Sequence, residues 1–138
     1  MNTPLSGGCA CGAIRYEATP EPTMFHCHCR DCQRSSGGPF SSFVFVPTEA
    51  FRIMQGSLRF YASHSERGGQ NQRGFCADCG SPILTKTDAN PRIVAIRIAS
   101  LDDPSWFNPQ VDVWTSDAQP WDHMNPALPK FEKYPIPK

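Results

Sequence analysis

The sequence predicts an all-β protein, and three observations carry the prediction. Apolar and polar side chains alternate in short runs, the period-two pattern of half-buried strands. Prolines and glycine-rich clusters end one such run after another. No segment places apolar residues at a spacing of 3.6 over three turns, as an amphipathic helix requires. At 138 residues, with no internal repeat and no linker, the chain reads as one domain over 1–138, long enough to bury a core without staples.

The strands follow in order. Ala13 to Ala18 alternates over most of its length, and Pro20 and Pro22 break it. Ser35-Ser36-Gly37-Gly38-Pro39 reads as a loop. Phe40 to Val46 is an aromatic and β-branched run suited to a pleated surface, ended by Pro47. Phe51-Arg52-Ile53 and Leu58 to Tyr61 are short strands around the turn-prone Gln55-Gly56-Ser57. The polar, glycine-bearing stretch from Ser63 to Gly74 reads as a loop long enough to be mobile or to fold over a site. Pro82 to Thr85 is a strand. Arg92 to Ala99 is the most strand-like segment, with Ile96 and Ile98 on one face and Arg97 on the other. Val111 to Thr115 alternates again. The tail, 120–138, holds five of the 14 prolines, which excludes a regular helix or a central strand. Its Trp121, Leu128, Phe131 and Tyr134 predict that it packs along the surface and covers apolar area.

Composition excludes several functions. Lys plus Arg and Asp plus Glu number 13 each, and no basic stripe suggests a nucleic-acid partner. Met1 to Gly8 has neither the basic start nor the apolar run of a signal peptide. No stretch approaches the roughly 20 apolar residues of a membrane span. A cytoplasmic location is the expectation. In a reducing compartment clustered cysteines read as metal ligands or catalytic groups before disulfides.

The 7 cysteines fall as two, three and two: Cys9 and Cys11; Cys27, Cys29 and Cys32; Cys76 and Cys79. Two cysteines one residue apart in extended backbone point the same way, and Cys-x-x-Cys before glycine converges from a tight turn. The outer pairs together suit a closed four-thiolate zinc site, structural and chemically inert. The middle three suit a zinc with one position left for water or substrate, the pattern of a catalytic site. Alternation turns His26 and His28 away from the metal if Cys27 and Cys29 face it. A histidine closing the site, and a binuclear arrangement sharing a thiolate, are the competing partitions. The residues after Cys79 look like a turn entering a strand, which argues against a thioredoxin-like Cys76/Cys79 pair.

Three blocks carry a resemblance: Gly7-Gly8-Cys9-Ala10-Cys11-Gly12, Cys27-His28-Cys29-Arg30-Asp31-Cys32 and Arg73-Gly74-Phe75-Cys76-Ala77-Asp78-Cys79-Gly80. In this order and spacing the chain resembles the glutathione-dependent formaldehyde-activating enzyme family, which includes the centromere protein V type. A late Trp and Leu128-Pro129-Lys130-Phe131 also fit. The resemblance implies an Mss4-like fold of several small antiparallel sheets around two zinc ions. It implies structural zinc at Cys9, Cys11, Cys76 and Cys79, and catalytic zinc at Cys27, Cys29 and Cys32. The implied reaction condenses glutathione with formaldehyde to S-hydroxymethylglutathione, formally a carbon–sulfur lyase in reverse, so the implied partners are a small thiol and a small aldehyde.

Glutathione carries two carboxylates, and Arg30, Arg34, Arg67 and Arg73 lie in blocks from which they could answer them or balance an anionic zinc–thiolate centre. No general base is identifiable. The competing reading is a non-catalytic, zinc-stabilised module that binds a protein or nucleic acid. It requires a closed second site, with His64, His123 or an acidic side chain as the fourth ligand, and an exposed apolar or basic patch.

Overall fold

The computed structural model describes residues 3–135; Met1, Asn2 and the end of the predicted tail, 136–138, lie outside them. Ten strands and one short helix follow in order: β1 Leu5–Gly8, β2 Arg15–Ala18, β3 Met24–Cys27, α1 Arg30–Ser36, β4 Ser41–Pro47, β5 Phe51–Gln55, β6 Arg59–His64, β7 Gln70–Phe75, β8 Pro82–Thr87, β9 Ile93–Arg97 and β10 Val111–Val113. The all-β expectation holds. Two compact units are present: residues up to Pro22 with Val44–Trp106, and Thr23–Phe43 with the chain from Phe107 onward. β4 runs from the second into the first.

In the first unit β1, β2 and β5 form an antiparallel sheet with β2 in the middle. The alternation read in β2 is observed, with Tyr16 and Ala18 buried and Arg15 and Glu17 half-buried. The Tyr16 ring lies so close over β1 that a Cβ on Gly7 would sit 2.5 Å from it and 2.6 Å from the Ser100 carbonyl. Only a residue without a side chain permits that approach. The Tyr16 hydroxyl is 2.6 Å from Ser100 Oγ, so the phenol is buried with its polar atom satisfied.

Strands β6 to β9 are antiparallel neighbours in sequence order. Here the predicted loop at 63–74 is corrected. Only 65–69 turns, and Gln70–Phe75 is a full strand. Its polar composition hides it, because it draws its stability from pairing with β6 on one side and β8 on the other. The strand read over Arg92–Ala99 is also corrected at its end: β9 stops at Arg97, and Ile98–Ser100 form a 3-10 turn. Ile96, Arg97 and Ile98 are all buried. Ile83, Leu84, Val94 and Ile96 are the buried apolar residues of β8 and β9.

In the second unit β3 pairs with β10, and the pairing is parallel: Val111 opposite Phe25, Asp112 opposite His26, Val113 opposite Cys27. Phe25 stacks on Phe43 at 5.4 Å. The helix α1 went unread because two turns are too short for a periodic signal, and it extends to Ser36 where a loop was expected. Gly37 ends it with φ of 76°, a left-handed conformation glycine adopts freely.

The tail is held mainly by its backbone. Asp112 donates to the Pro129 carbonyl and accepts from the Phe131 amide; the amides of Trp114, Thr115 and Ser116 donate to the carbonyls of Lys133, Phe131 and Glu132. The large tail side chains cover less than expected: Trp121 is 59% exposed and Phe131 and Tyr134 are each 38% exposed. Prolines forbid a regular strand because they lack an amide proton, yet a proline carbonyl still accepts, and the tail bonds to β10 and the residues after it through Pro129, Phe131, Glu132 and Lys133.

In urea unfolding followed by fluorescence, Tyr16→Phe is expected to cost about 1 kcal/mol, the worth of one buried hydrogen bond. Gly7→Ala is expected to cost about 1–3 kcal/mol by overpacking.

Candidate metal centres

Two groups of sulfurs form, one in each unit. In the first, the Sγ atoms of Cys9, Cys11, Cys76 and Cys79 all lie within 4.8 Å of one another. Two turns bring them there. Cys9 to Gly12 is a turn rather than the extended segment predicted, closed by the Gly12 amide on the Cys9 carbonyl at 3.3 Å, with Gly12 at φ of 82°. The second turn closes through the Gly80 amide on the Cys76 carbonyl at 2.8 Å. Ser81 joins the two: its Oγ accepts from the Ala10 amide at 3.0 Å and lies 3.2 Å from Cys79 Sγ. The Ile14 amide donates to Cys9 Sγ at 3.2 Å.

In the second unit, Cys27, Cys29 and Cys32 bring their Sγ atoms within the same 4.8 Å limit. Cys27 closes β3. Cys29 caps α1, its sulfur accepting from the Cys32 amide at 3.3 Å, so the Cys-x-x-Cys spacing is that of a helix cap and the residue whose amide it receives. Ser41 Oγ donates to the Cys32 carbonyl at 2.9 Å. Among the described residues no histidine or carboxylate belongs to either group. His64 on β6 and His123 are exposed.

The sulfur positions fit a metal. A tetrahedral ion with bonds of about 2.3 Å to sulfur needs its ligands about 3.8 Å apart. Cys9 and Cys11 Sγ are 3.6 Å apart, and Cys11 and Cys76 Sγ 3.8 Å. All seven cysteines are unpaired thiols, a donor set that suits a soft or borderline cation. Their acidities diverge. Hydrogen bonds from the Ser81 hydroxyl and amide bring Cys79 down to about 5. Cys11 is pulled down by the Ala13 amide, but Cys9 and Cys79 together push it up to about 12. Cys27 is pushed well above the usual thiol range by Cys29, Cys32 and burial. Cys29 gains from its bond to Cys27, but Cys32 and burial leave it raised.

His26 and His28 project away from the sulfurs into a polar and aromatic cluster. His26 Nδ1 is 2.8 Å from Ser42 Oγ, and its ring lies 4.2 Å from Phe40 and 5.5 Å from Phe107. Burial lowers its pKa despite Asp112 nearby. His28 is fully buried between Asp112 and Asp122. The sequence reading missed both aspartates, Lys130 and Gln33; the one available signal was the aspartate between two valines in β10. Arg30 and Arg34 lie on α1 with the three-cysteine group. Arg67 and Arg73 belong to the other unit, where Arg73 donates to Ser63 Oγ at 3.2 Å.

Comparison with known proteins gives a family and a fold. A family model described as glutathione-dependent formaldehyde-activating enzyme matches residues 4–117. A Halomonas elongata protein, named provisionally as such an enzyme, is 25% identical over 103 residues, 71% of this chain and 66% of that protein. The chain therefore spans just under two thirds of that relative's length. A crystal structure of a Rhodobacter sphaeroides protein aligns with a TM-score of 0.62 at 18% identity, covering 92% of this chain and 99% of that one, a likeness of fold alone. Among the described residues no helix is long and apolar enough to cross a membrane.

In the reduced, metal-free chain, iodoacetamide at pH 7 is expected to modify Cys79 first, because an exposed thiol with a pKa of about 5 is already thiolate. Cys27, buried and raised, is expected to react last; peptide mapping by mass spectrometry reads the order.

Proposed function

Because the chain belongs to the glutathione-dependent formaldehyde-activating enzyme family, we propose that it joins glutathione to formaldehyde on a zinc site, a carbon–sulfur lyase reaction in the synthetic direction. The observation that carries the reading is the group of three sulfurs, Cys27, Cys29 and Cys32, beside which no fourth protein ligand stands among the described residues. Two zinc ions are assigned. Cys9, Cys11, Cys76 and Cys79 hold the structural one, and the three-cysteine group holds the catalytic one. Bound there, zinc would lower the pKa of a thiol taken as fourth ligand from its ordinary value of about 8.5, supplying thiolate near neutral pH.

The chain's part is to hold that site in shape. Cys27 is fixed by the β3–β10 pairing. The Cys32 amide donates to Cys29 sulfur and eases the negative charge gathered there. In the reaction the substrate sulfur attacks the aldehyde carbon and a carbon–sulfur bond forms. The carbonyl π pair moves to oxygen, which ends with the proton the thiol gave up. The seven free thiols suit a reducing compartment, and we place the protein in the cytoplasm.

A second reading, the non-catalytic binding module, has one observation in its favour: Ile53, Met54, Phe60 and Tyr61 are exposed on β5 and β6. Cys32→Ser separates the two. An enzyme loses one zinc per chain by elemental analysis and more than about 100-fold in adduct formation by carbon-13 exchange NMR, while keeping its other zinc and its fold. Retained turnover in this variant, or no turnover by the zinc-loaded wild type, would sink the enzymatic reading.

A further inference from the structure

His28 stands between Cys27 and Cys29, and every polar atom it has is engaged. Its amide donates to the Val113 carbonyl at 3.0 Å. Its carbonyl accepts from Gln33 Nε2 at 2.7 Å. Nε2 of its ring is 2.8 Å from Asp112 Oδ1, and Nδ1 is 2.5 Å from Asp122 Oδ2. All three side chains are 1% exposed. Asp112 continues outward to Lys130, whose Nζ lies 3.2 Å from Oδ2 and also donates to the carbonyls of Asn125 and Leu128 at 2.6 and 3.1 Å. Among the described residues Asp122 Oδ1 is buried without a hydrogen-bond partner, and the His28 ring is the one side chain found hydrogen-bonded to that carboxylate.

Each ring nitrogen faces one carboxylate oxygen, and Asp112 turns its other oxygen to Lys130, so the ring stands between two buried acidic side chains. A buried polar network of this kind selects one arrangement while it is complete, and removing its middle member leaves two buried acidic groups without their partner. The backbone of residue 28 sets where the side chains of 27 and 29 point, so whatever fixes His28 fixes two of the three sulfurs.

We infer that His28, clasped by Asp112 and Asp122, is the positioning residue of the three-sulfur group, coupling its metal-holding geometry to the C-terminal segment that carries Asp122 and Lys130. The inference rests on the proposed reading of those sulfurs as a metal site. It touches neither substrate nor reacting atoms.

The test uses the full chain loaded with cobalt(II), following the sulfur-to-cobalt and d–d absorption bands and the rate of transfer of the metal to EDTA. Cys32→Ser identifies the signals of the three-sulfur group. In His28→Gln and Asp122→Ala, that group is expected to release metal about 10–100-fold faster with altered d–d bands, while release from the four-sulfur group stays within about twofold. Asp122→Asn keeps an acceptor oxygen for the ring and is expected to restore both readouts, which a general loss of stability would not allow. Lys130→Met, at the partly exposed end of the hydrogen-bonded network, is expected to shift the bands in the same direction even if the buried variants fail to fold. Unchanged bands and rates in folded variants overturn the inference alone. A wild-type chain that takes up only one ion, at Cys9, Cys11, Cys76 and Cys79, overturns the metal reading of the three sulfurs and the inference with it.

Discussion

Four cysteine sulfurs drawn within 4.8 Å of one another from positions 9, 11, 76 and 79 are a crowd that hydrophobic packing alone has no reason to assemble. As thiols they oppose one another. Cys79 is acidic because Ser81 serves its thiolate, and Cys11 is pushed up to about 12 beside it. A divalent cation would remove the conflict by accepting all four as thiolates, and the gain in binding would become a gain in folding. Such a crosslink would join the turn after β1 to the turn before β8, whose nearest sulfurs in sequence, Cys11 and Cys76, are 65 residues apart. The first unit is built to present those turns, with Gly12 and Gly80 in left-handed backbone and Ser81 hydrogen-bonded to both.

The second unit solves a different problem. Its three sulfurs are mostly buried, and beside the apolar Phe25, Phe43 and Val113 the unit buries four polar residues: His28, Gln33, Ser41 and Asp112. Polar groups in a dry interior are held by their partners more than by packing, and a satisfied network selects one arrangement where an apolar cluster would accept several. That suits a site whose value depends on sulfur geometry. The tail belongs to the same logic. It repeats hydrogen bonding along β10, so that Asp122 and Lys130 arrive where the histidine needs them, while Trp121 remains in water.

Much of the fold was legible because alternation reports burial directly. Tyr16 and Ala18 on β2, and Val94 and Ile96 on β9, are buried as the pattern requires. Legibility failed where a segment's conformation depends on its neighbours. β7, Gln-Asn-Gln-Arg-Gly-Phe, has no apolar face of its own and is a strand because β6 and β8 pair with it. α1 is a helix because Cys29 caps it and Gly37 ends it, over a length too short to show a period. β9 stops at Arg97 and turns at Ile98–Ser100, where the alternating pattern of the sequence runs on to Ala99.

What the sequence by itself determined is the grouping of its cysteines as two, three and two, and the family. Spacing decides which neighbouring ligands can converge, and spacing is a property of the chain. It also turned His26 and His28 away from the sulfurs, since adjacent side chains on a strand oppose each other. Only the tertiary structure decided what those histidines do instead. Asp112 and Asp122 are 84 and 94 residues from His28, and an aspartate between two valines marks an unusual strand position without naming the buried ring that partners it. The parallel register of β3 and β10 puts the first beside it, and the return of the tail brings the second. Ion pairs of long sequence separation are written in topology, and topology follows from the packing of the whole chain.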